Sequence, residues 1–531
     1  MNLLSGNPPK YTLNEKIGQM IVVRASGYLF DHQIRYPMWE AKNSQLQRWL
    51  GELNFGGVIL LGGSAAELAI KTKKLQEWAK TPLLIAADVE EGVGQRFTGA
   101  TWFPPVMCLG AIARNDYAIA QGYAREMGEI TAQEALAIGV NWILAPVVDV
   151  NNNRDNPVIN VRSFGDKMEL VGDLATAFIQ GTKKFPILTT AKHFPGHGDT
   201  TTDSHLELPM ITSDVERLES LELRPFQKAI AAAVDTVMSA HLLIPAWDPD
   251  HPATLSRKIL TGILREKLGF SGLIVTDALV MGGVSQIADC GEVAVRAVEA
   301  GADLLLMPPD PEVAVEAIAQ AVKTGRLTED RIDASVRRIR AKKQTLCEQH
   351  DPLQVTEKLA LPQFQKTVAN MTEKSLQKGG HLPLIPQKGK NLIVVDDLLN
   401  CDFLDRQTPA VTIPHKLGYE LQLVDQKMLD DLSDRDQSVL LQVFIRGNPF
   451  RGQAGLTAIA QETFTHLIEN QAIQGLILYG SPYILDWFRG KLSPELPWVF
   501  SYGQMPVSQA IACQSLFHLS GFSDVPKMPF I

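Results

Sequence analysis

The sequence predicts an α/β protein, a (β/α)8 TIM barrel followed by a smaller α/β sandwich-like domain. Three observations carry that expectation. Eight short β-rich apolar runs, each followed by a loop and usually by a helical pattern, fill about the first 310 residues. Eight such units in roughly 345 residues have the size of one barrel and fit it better than an open doubly wound sheet. The whole chain, at 531 residues, exceeds what one hydrophobic core serves, and a second α/β block follows a polar connector.

The eight strands are expected at Met20–Ala25, Gly57–Leu61, Leu83–Asp88, Trp142–Val147, Pro186–Ala191, Thr236–His241, Gly272–Asp277 and Asp303–Met307. The helices between them carry stop signals. Asp116 to Ile138 is apolar at helical spacing and closes at Gly139, Cys290 to Ala300 stops at Gly301, and Val313 to Thr324 stops at Gly325. Arg331 to Lys343 is a basic helical stretch, read as a solvated outer helix that closes the barrel rather than a nucleic-acid surface. The connector contains Gly379-Gly380 and Pro352, Pro362, Pro383 and Pro386. Beyond it, strands at Leu392–Val395, Val439–Phe444, Gly475–Tyr479 and Trp498–Ser501 predict a small parallel sheet flanked by helices. The chain thus divides into a barrel domain over 1–348, a linker over 349–390 and a C-terminal domain over 391–531.

A formal charge of -9 leaves no long basic surface for a polyanion, so nucleic acid is not the expected partner. The five cysteines are far apart and odd in number, which fits neither a disulfide framework nor a Cys-x-x-Cys metal site and points to a reducing compartment. Met1 to Lys16 lacks the basic flank and apolar core of a signal peptide, and no run approaches the ~20 apolar residues of a membrane span. The expectation is a cytoplasmic protein with no membrane partner.

The densest chemistry lies in Lys192-His193-Phe194-Pro195-Gly196-His197-Gly198-Asp199-Thr200, followed by Asp203-Ser204-His205. Its Pro and Gly residues forbid a continuous helix, and it begins where the fifth strand is expected to end. In a barrel the active site lies at the strand C-termini, and unusual polar residues collect there. The third strand leads into Asp88, Glu90-Glu91-Gly92 and Arg96; the fourth into Asp149, Asn151-Asn152-Asn153 and Arg162; the fifth into Lys192-His193; the sixth into His241; the seventh into Asp277. Taken singly, each has a structural explanation: a helix N-cap or turn for an aspartate, a hydrogen-bonded core histidine for His241, a pairing with Asp149 for Arg162. Five successive strand ends with this character point to a site.

A Lys-His pair, two arginines and an aspartate suit a polyhydroxyl ligand, whose hydroxyls need donors and acceptors in fixed directions. Asp277 and His205 can divide the chemistry, since a carboxylate can attack an anomeric carbon and an imidazole can give and retake a proton near neutral pH. Asp203 is placed to hold the His205 ring. His193, His197, Asp199, Asp203 and His205 are also legitimate metal ligands. The Pro-Gly break disfavours an i, i+4 histidine pair, and the first strand has no His-x-His, so no metal is expected. No glycine pattern for a dinucleotide follows the first strand and no phosphate-binding loop appears, so no cofactor is expected either.

From about Leu13 to Lys343 the chain resembles glycoside hydrolase family 3, in its NagZ-like β-N-acetylglucosaminidase branch. The motifs that carry the resemblance are Ala87-Asp88-Val89-Glu90-Glu91-Gly92 with Arg96-Phe97, Asn156-Pro157-Val158-Ile159 with Arg162-Ser163-Phe164-Gly165, Lys192 to Gly198, Asp203-Ser204-His205 and Gly272 to Asp277. The resemblance implies Asp277 as nucleophile, His205 with Asp203 as acid/base, and Asp88, Arg96, Arg162, Lys192 and His193 as sugar-binding residues. It implies a retaining double displacement that releases N-acetylglucosamine from cell-wall muropeptides or small chito-oligosaccharides. Two positions depart from the family pattern: Glu91 stands where a glycine is common, and Ala278 where a second aspartate is common. The C-terminal block resembles the second domain of two-domain members at Leu478 to Tyr483 and Phe500 to Gly503, which implies a structural role or a part in the substrate rim. The rival functions are a β-N-acetylglucosaminide phosphorylase, a β-glucosidase, a metal-dependent hydrolase and a sugar-binding protein on an inactive scaffold. The stretch from Gly196 to His205 has glycines and has to bring His205 to the leaving group, so it is expected to move.

Overall fold

The computed structural model describes residues 11–200, 207–346, 351–429, 438–447 and 454–519. Each of the eight runs holds a strand: β1 (Ile21–Ser26), β2 (Gly57–Leu61), β3 (Leu84–Ala87), β4 (Trp142–Ile143), β5 (Leu188–Phe194), β6 (Thr236–Ser239), β7 (Leu273–Thr276) and β8 (Leu305–Leu306). They pair in parallel in sequence order, with β8 beside β1. A bridge between Val275 and Leu304, with Thr276 N donating to Leu304 O at 3.0 Å, joins β7 to the start of β8 and closes the ring. A closed parallel ring with helices outside leaves every strand covered on both faces, which is why these runs read as apolar.

The intervening helices begin on side-chain caps. Asp116, Asp289, Asp310 and Thr328 each accept a backbone N–H from the first turn of the helix that follows, and Pro311 occupies the first turn after Asp310. The longest, Tyr117–Ala137, packs on the helix Met168–Thr182. Glycine permits that contact, because a Cβ at Gly128 would lie 2.2 Å from Phe178 O.

β5 runs past the expected end. Lys192 O accepts from Val148 N at 2.8 Å and Phe194 O from Ala240 N at 2.7 Å, so the polar Lys192-His193 pair belongs to the strand and Pro195 ends it. The pairing with β6 also slips, Ala191 facing Val237 but Phe194 facing Ser239, so β5 carries one extra residue. In a regular strand Lys192 and His193 would point to opposite faces; a bulge lets both reach the same side.

Among the described residues the second sheet has six strands: β9 (Gln377–Gly379), β10 (Gly389–Val395), β11 (Tyr419–Asp425), β12 (Val439–Ile445), β13 (Ile473–Gly480) and β14 (Trp498–Ser501), in the order β11-β10-β12-β13-β14-β9. It is mixed rather than parallel, because β9 runs antiparallel to β14. β9 lies in the stretch read as a connector, which also contains the helix Pro362–Ser375. That helix buries Phe364, Val368 and Met371, and Thr367 Oγ1 donates to Glu126 on the long barrel helix at 2.6 Å. Both added strands lie at sheet edges, where half-exposed sequences such as Gln377-Lys378-Gly379 and Glu420-Leu421-Gln422 lack the continuous apolar run that betrays a central strand.

Candidate active site

At the C-terminal end of the barrel, one network links the ends of β3 and β5. Lys192 Nζ, almost fully buried, donates to Asp88 Oδ1 at 2.7 Å and lies 2.6 Å from Glu90 Oε1. Arg162, at the end of a short helical turn, grips both Glu90 oxygens at 2.8 Å through Nε and Nη2. Burial alone would raise the Glu90 carboxyl, but Arg162 and then Lys192 outweigh it and hold the group well below the usual carboxylate range. Lys192 feels the converse: burial pulls its ammonium down, and Asp88 and Glu90 more than restore it. Both ions therefore stay charged in a site from which water is largely excluded. Asp88 is the more open member, with 29% of its side chain exposed, while Arg96 donates through Nε to the Asp88 carbonyl at 2.9 Å and orients that turn.

His193 is clamped from the other side. Asp149, beyond β4, accepts His193 N at 3.1 Å, His193 Nδ1 at 2.8 Å and His197 N at 2.8 Å. Burial would raise Asp149, yet His193 and His197 hold it below its ordinary value. With Nδ1 donating to Asp149, Nε2 is the acceptor that faces Arg162 Nη2 at 3.4 Å. Arg162 therefore pairs with Glu90 and not with Asp149, the partner its spacing offered.

Asp277 stands at the end of β7, half-buried, its backbone N donating to Ser239 O at 3.1 Å and its Oδ1 accepting from Ala278 N at 2.7 Å. His241 is held between Thr254 Oγ1 at 2.8 Å and Ala278 O at 3.1 Å. Asp203 and His205 lie outside the described residues. Among the described residues, no three His, Cys, Asp or Glu side chains group as a metal would need. No helix among them is long and apolar enough to cross a membrane.

The profile of the glycosyl hydrolase family 3 N-terminal domain matches residues 12–341, and that of the bacterial family 3 C-terminal domain matches 385–518. The chain belongs to glycosyl hydrolase family 3. It is 32% identical over 304 residues to a β-N-acetylglucosaminidase/β-glucosidase of Cellulomonas fimi, an alignment over 55% of this chain. It is 31% identical over 397 residues to β-hexosaminidase A of Pseudoalteromonas piscicida, over 68% of this chain. The chain spans 53% and 66% of the lengths of those two relatives. The structure of a family 3 β-N-acetylglucosaminidase from Paenibacillus sp. str. FPU-7 superposes with a TM-score of 0.78 at 30% identity, covering 96% of this chain and 97% of that one.

In this family 3 chain the second domain reaches the network through Arg446, which the sequence did not single out, and through Ser481 and Tyr483 of the Leu478 to Tyr483 motif. Glu91, almost fully buried, turns away from Glu90 and accepts Trp102 Nε1 at 3.0 Å and Arg446 Nη1 at 3.1 Å, the arginine coming from the end of β12. The carboxylate that departs from the family pattern is thus paired with an arginine of the other domain. From the end of β13, Ser481 Oγ donates to Asn160 Oδ1 at 3.1 Å, two residues before Arg162. Asn151 Nδ2 donates to Tyr483 at 2.6 Å. A contact across hundreds of residues leaves no local spacing to find it by. Asp149 and Glu90 did carry a signal, since both follow strands that lead into the site.

The start of the Gly196 to His205 stretch is pinned. Asn156 Nδ2 donates to His197 O at 2.8 Å and Gly198 O at 3.0 Å, and Asp199 pairs with Arg217 at 3.0 Å. Gly198 serves close packing here: a Cβ would lie 1.7 Å from Val150 O. His197 Nδ1 lies 2.9 Å from Thr200 Oγ1, and burial draws its pKa down to about 4, so the ring is neutral. Beneath Gly196 sits Glu222, whose carboxyl is pushed up to about 8 by burial, with Asp199 and Asp149 adding and Arg217, 3.8 Å away, opposing.

Proposed function

We propose that this protein is a retaining exo-β-N-acetylglucosaminidase acting on cell-wall muropeptides or small chito-oligosaccharides. The observation that carries the reading is the charged cluster of Asp88, Glu90, Arg162, Lys192 and His193 at the same barrel end as Asp277. Its acceptors and donors are fixed in direction and charged, as recognition of a terminal sugar's hydroxyls requires. The β-N-acetylglucosaminidase and β-hexosaminidase relatives support the same chemistry.

Asp88, Arg96, Arg162, Lys192 and His193 bind the non-reducing sugar. His205, oriented by Asp203, protonates the glycosidic oxygen as Asp277 attacks the anomeric carbon, which releases the aglycone and leaves a glycosyl ester. His205 then takes a proton from water, whose oxygen attacks the same carbon and frees Asp277, with net retention.

The test is turnover of an aryl N-acetyl-β-D-glucosaminide beside the matching aryl β-D-glucoside, with phosphate varied. Preference for the N-acetylated substrate and a β-configured initial product support the reading. Sugar 1-phosphate would reassign the protein as a phosphorylase, and preference for the glucoside as a β-glucosidase.

A further inference from the structure

Of the described large apolar side chains that stand exposed, four fall within ten residues of the loop after β1: Phe30 (60%), Tyr36 (41%), Met38 (89%) and Trp39 (42%). Isolated exposed apolar residues need no explanation, but a cluster does. This one lies at the catalytic end of the barrel, because Ser26 ends β1 as Ala87 ends β3 and Thr276 ends β7. A chain of backbone contacts ties it to the sugar pocket. Gly27 N donates to Leu61 O at 3.0 Å, a Cβ on Gly63 would lie 3.1 Å from Gly27, and Thr98 N, two residues beyond Arg96, donates to Gly63 O at 3.2 Å.

The rings are held rather than loose. Arg24 on β1 pairs with the buried Glu40 at 3.3 Å and places its guanidinium 4.9 Å from the Tyr36 ring centre and 5.6 Å from that of Trp39. Tyr36 and Trp39 lie 6.0 Å apart with planes 23° from parallel, and Phe30 and His32 form a second stacked pair at 5.8 Å. Leu29 N and Asn43 N donate to Glu67 and Asp31, each at 2.9 Å, fixing both arms of the loop. Among the rings stand exposed Asp31, His32 and Arg35. Aromatic faces interleaved with hydrogen-bonding groups suit an amphipathic ring with an apolar C–H face and a polar edge, which is a pyranose. An acyl chain or a second protein core would call for an unbroken apolar patch.

We propose that this loop is the platform for the sugar unit on the leaving-group side of the scissile bond, so that the protein prefers glycans of two or more residues over simple glycosides. The inference rests on the glycosidase reading. Its test compares N,N′,N″-triacetylchitotriose with methyl N-acetyl-β-D-glucosaminide, which has nothing to stack, for wild type, Trp39→Ala, Phe30→Ala and Trp39→Phe. Trp39→Ala should lower kcat/KM on the trisaccharide about tenfold, mainly through KM, with Phe30→Ala acting in the same direction. Trp39→Phe should restore most of the loss, and the ratio between the two substrates should move towards unity only in the alanine variants. An equal loss on both substrates, or none on the trisaccharide, overturns the platform while leaving the glycosidase reading intact. A concentration-dependent dimer that Trp39→Ala abolishes, with the substrate ratio unchanged, reassigns the surface to self-association. A wild type that cleaves neither glycoside removes the glycosidase reading and the platform together.

Discussion

Both ends of this barrel bury charge, yet they do different things with it. At the N-terminal end, Asp303 is fully buried and saturated: it accepts Arg265 at 2.6 Å, Ser335 at 2.6 Å, Arg338 at 2.8 Å and Ile274 N at 3.0 Å. Asp235 takes Lys183 at 2.7 Å, Lys342 at 2.8 Å and Thr189 N at 3.1 Å. At the C-terminal end the acceptors and donors also pair, but Asp88 remains partly exposed and His193 keeps a ring nitrogen whose nearest partner stands at 3.4 Å. Charge density alone therefore marks neither end as functional. The distinguishing property is bonding capacity left open to a ligand at the end where β-strands feed long loops.

Five substitutions break or sharpen that contrast. The largest effect is expected from Asp277→Ala, which should cut turnover of an aryl N-acetylglucosaminide by about 10⁴-fold or more while leaving the thermal midpoint nearly unchanged. Retained activity would mean that the open end does not do the chemistry through this carboxylate. Asp303→Asn should do the reverse. It leaves the partly buried Arg265 and Arg338 without their countercharge and should cost about 2–3 kcal/mol in denaturant unfolding, with the folded fraction's kcat/KM unaltered.

Arg446→Ala tests the domain contact between these extremes. It strands the Glu91 carboxylate and should cost about 1–3 kcal/mol, and adding Glu91→Gly should recover part of it in a double-mutant cycle. Simple additivity would show the pair to be energetically idle.

The smallest effect concerns Glu222. Its folded pKa of about 8 lies above its ordinary 4.5, so the folded state holds the proton more tightly and stability is lost as pH rises through that window. Glu222→Gln should remove this term, so that the variant gains on wild type as pH rises between those values. Parallel melting curves across pH 5 to 8 would show the carboxyl to be solvated instead.

The basic helix shows where sequence reading was incomplete. Over Arg331 to Lys343 it reads as a solvated face, but Arg338 and Lys342 turn inward to Asp303 and Asp235 and seal the N-terminal end. A long side chain on a helix can reach past its own backbone face, so helical periodicity does not say which charges are paired.

By itself the sequence determined the eight strands of the barrel, the second α/β block and the strand ends on which polar residues gather. Those follow from local signals: apolar runs, stop residues, and charged side chains placed directly after strands. The tertiary structure decided the partners. The β5 bulge that turns Lys192 and His193 to one side, the choice of Glu90 rather than Asp149 for Arg162, the reach of Arg446 to Glu91 and the aromatic cluster braced on Arg24 are all long-range or packing-dependent. A hydrogen bond is decided by distance and direction in space, and residues hundreds of positions apart acquire both only when the ring closes and the two domains meet.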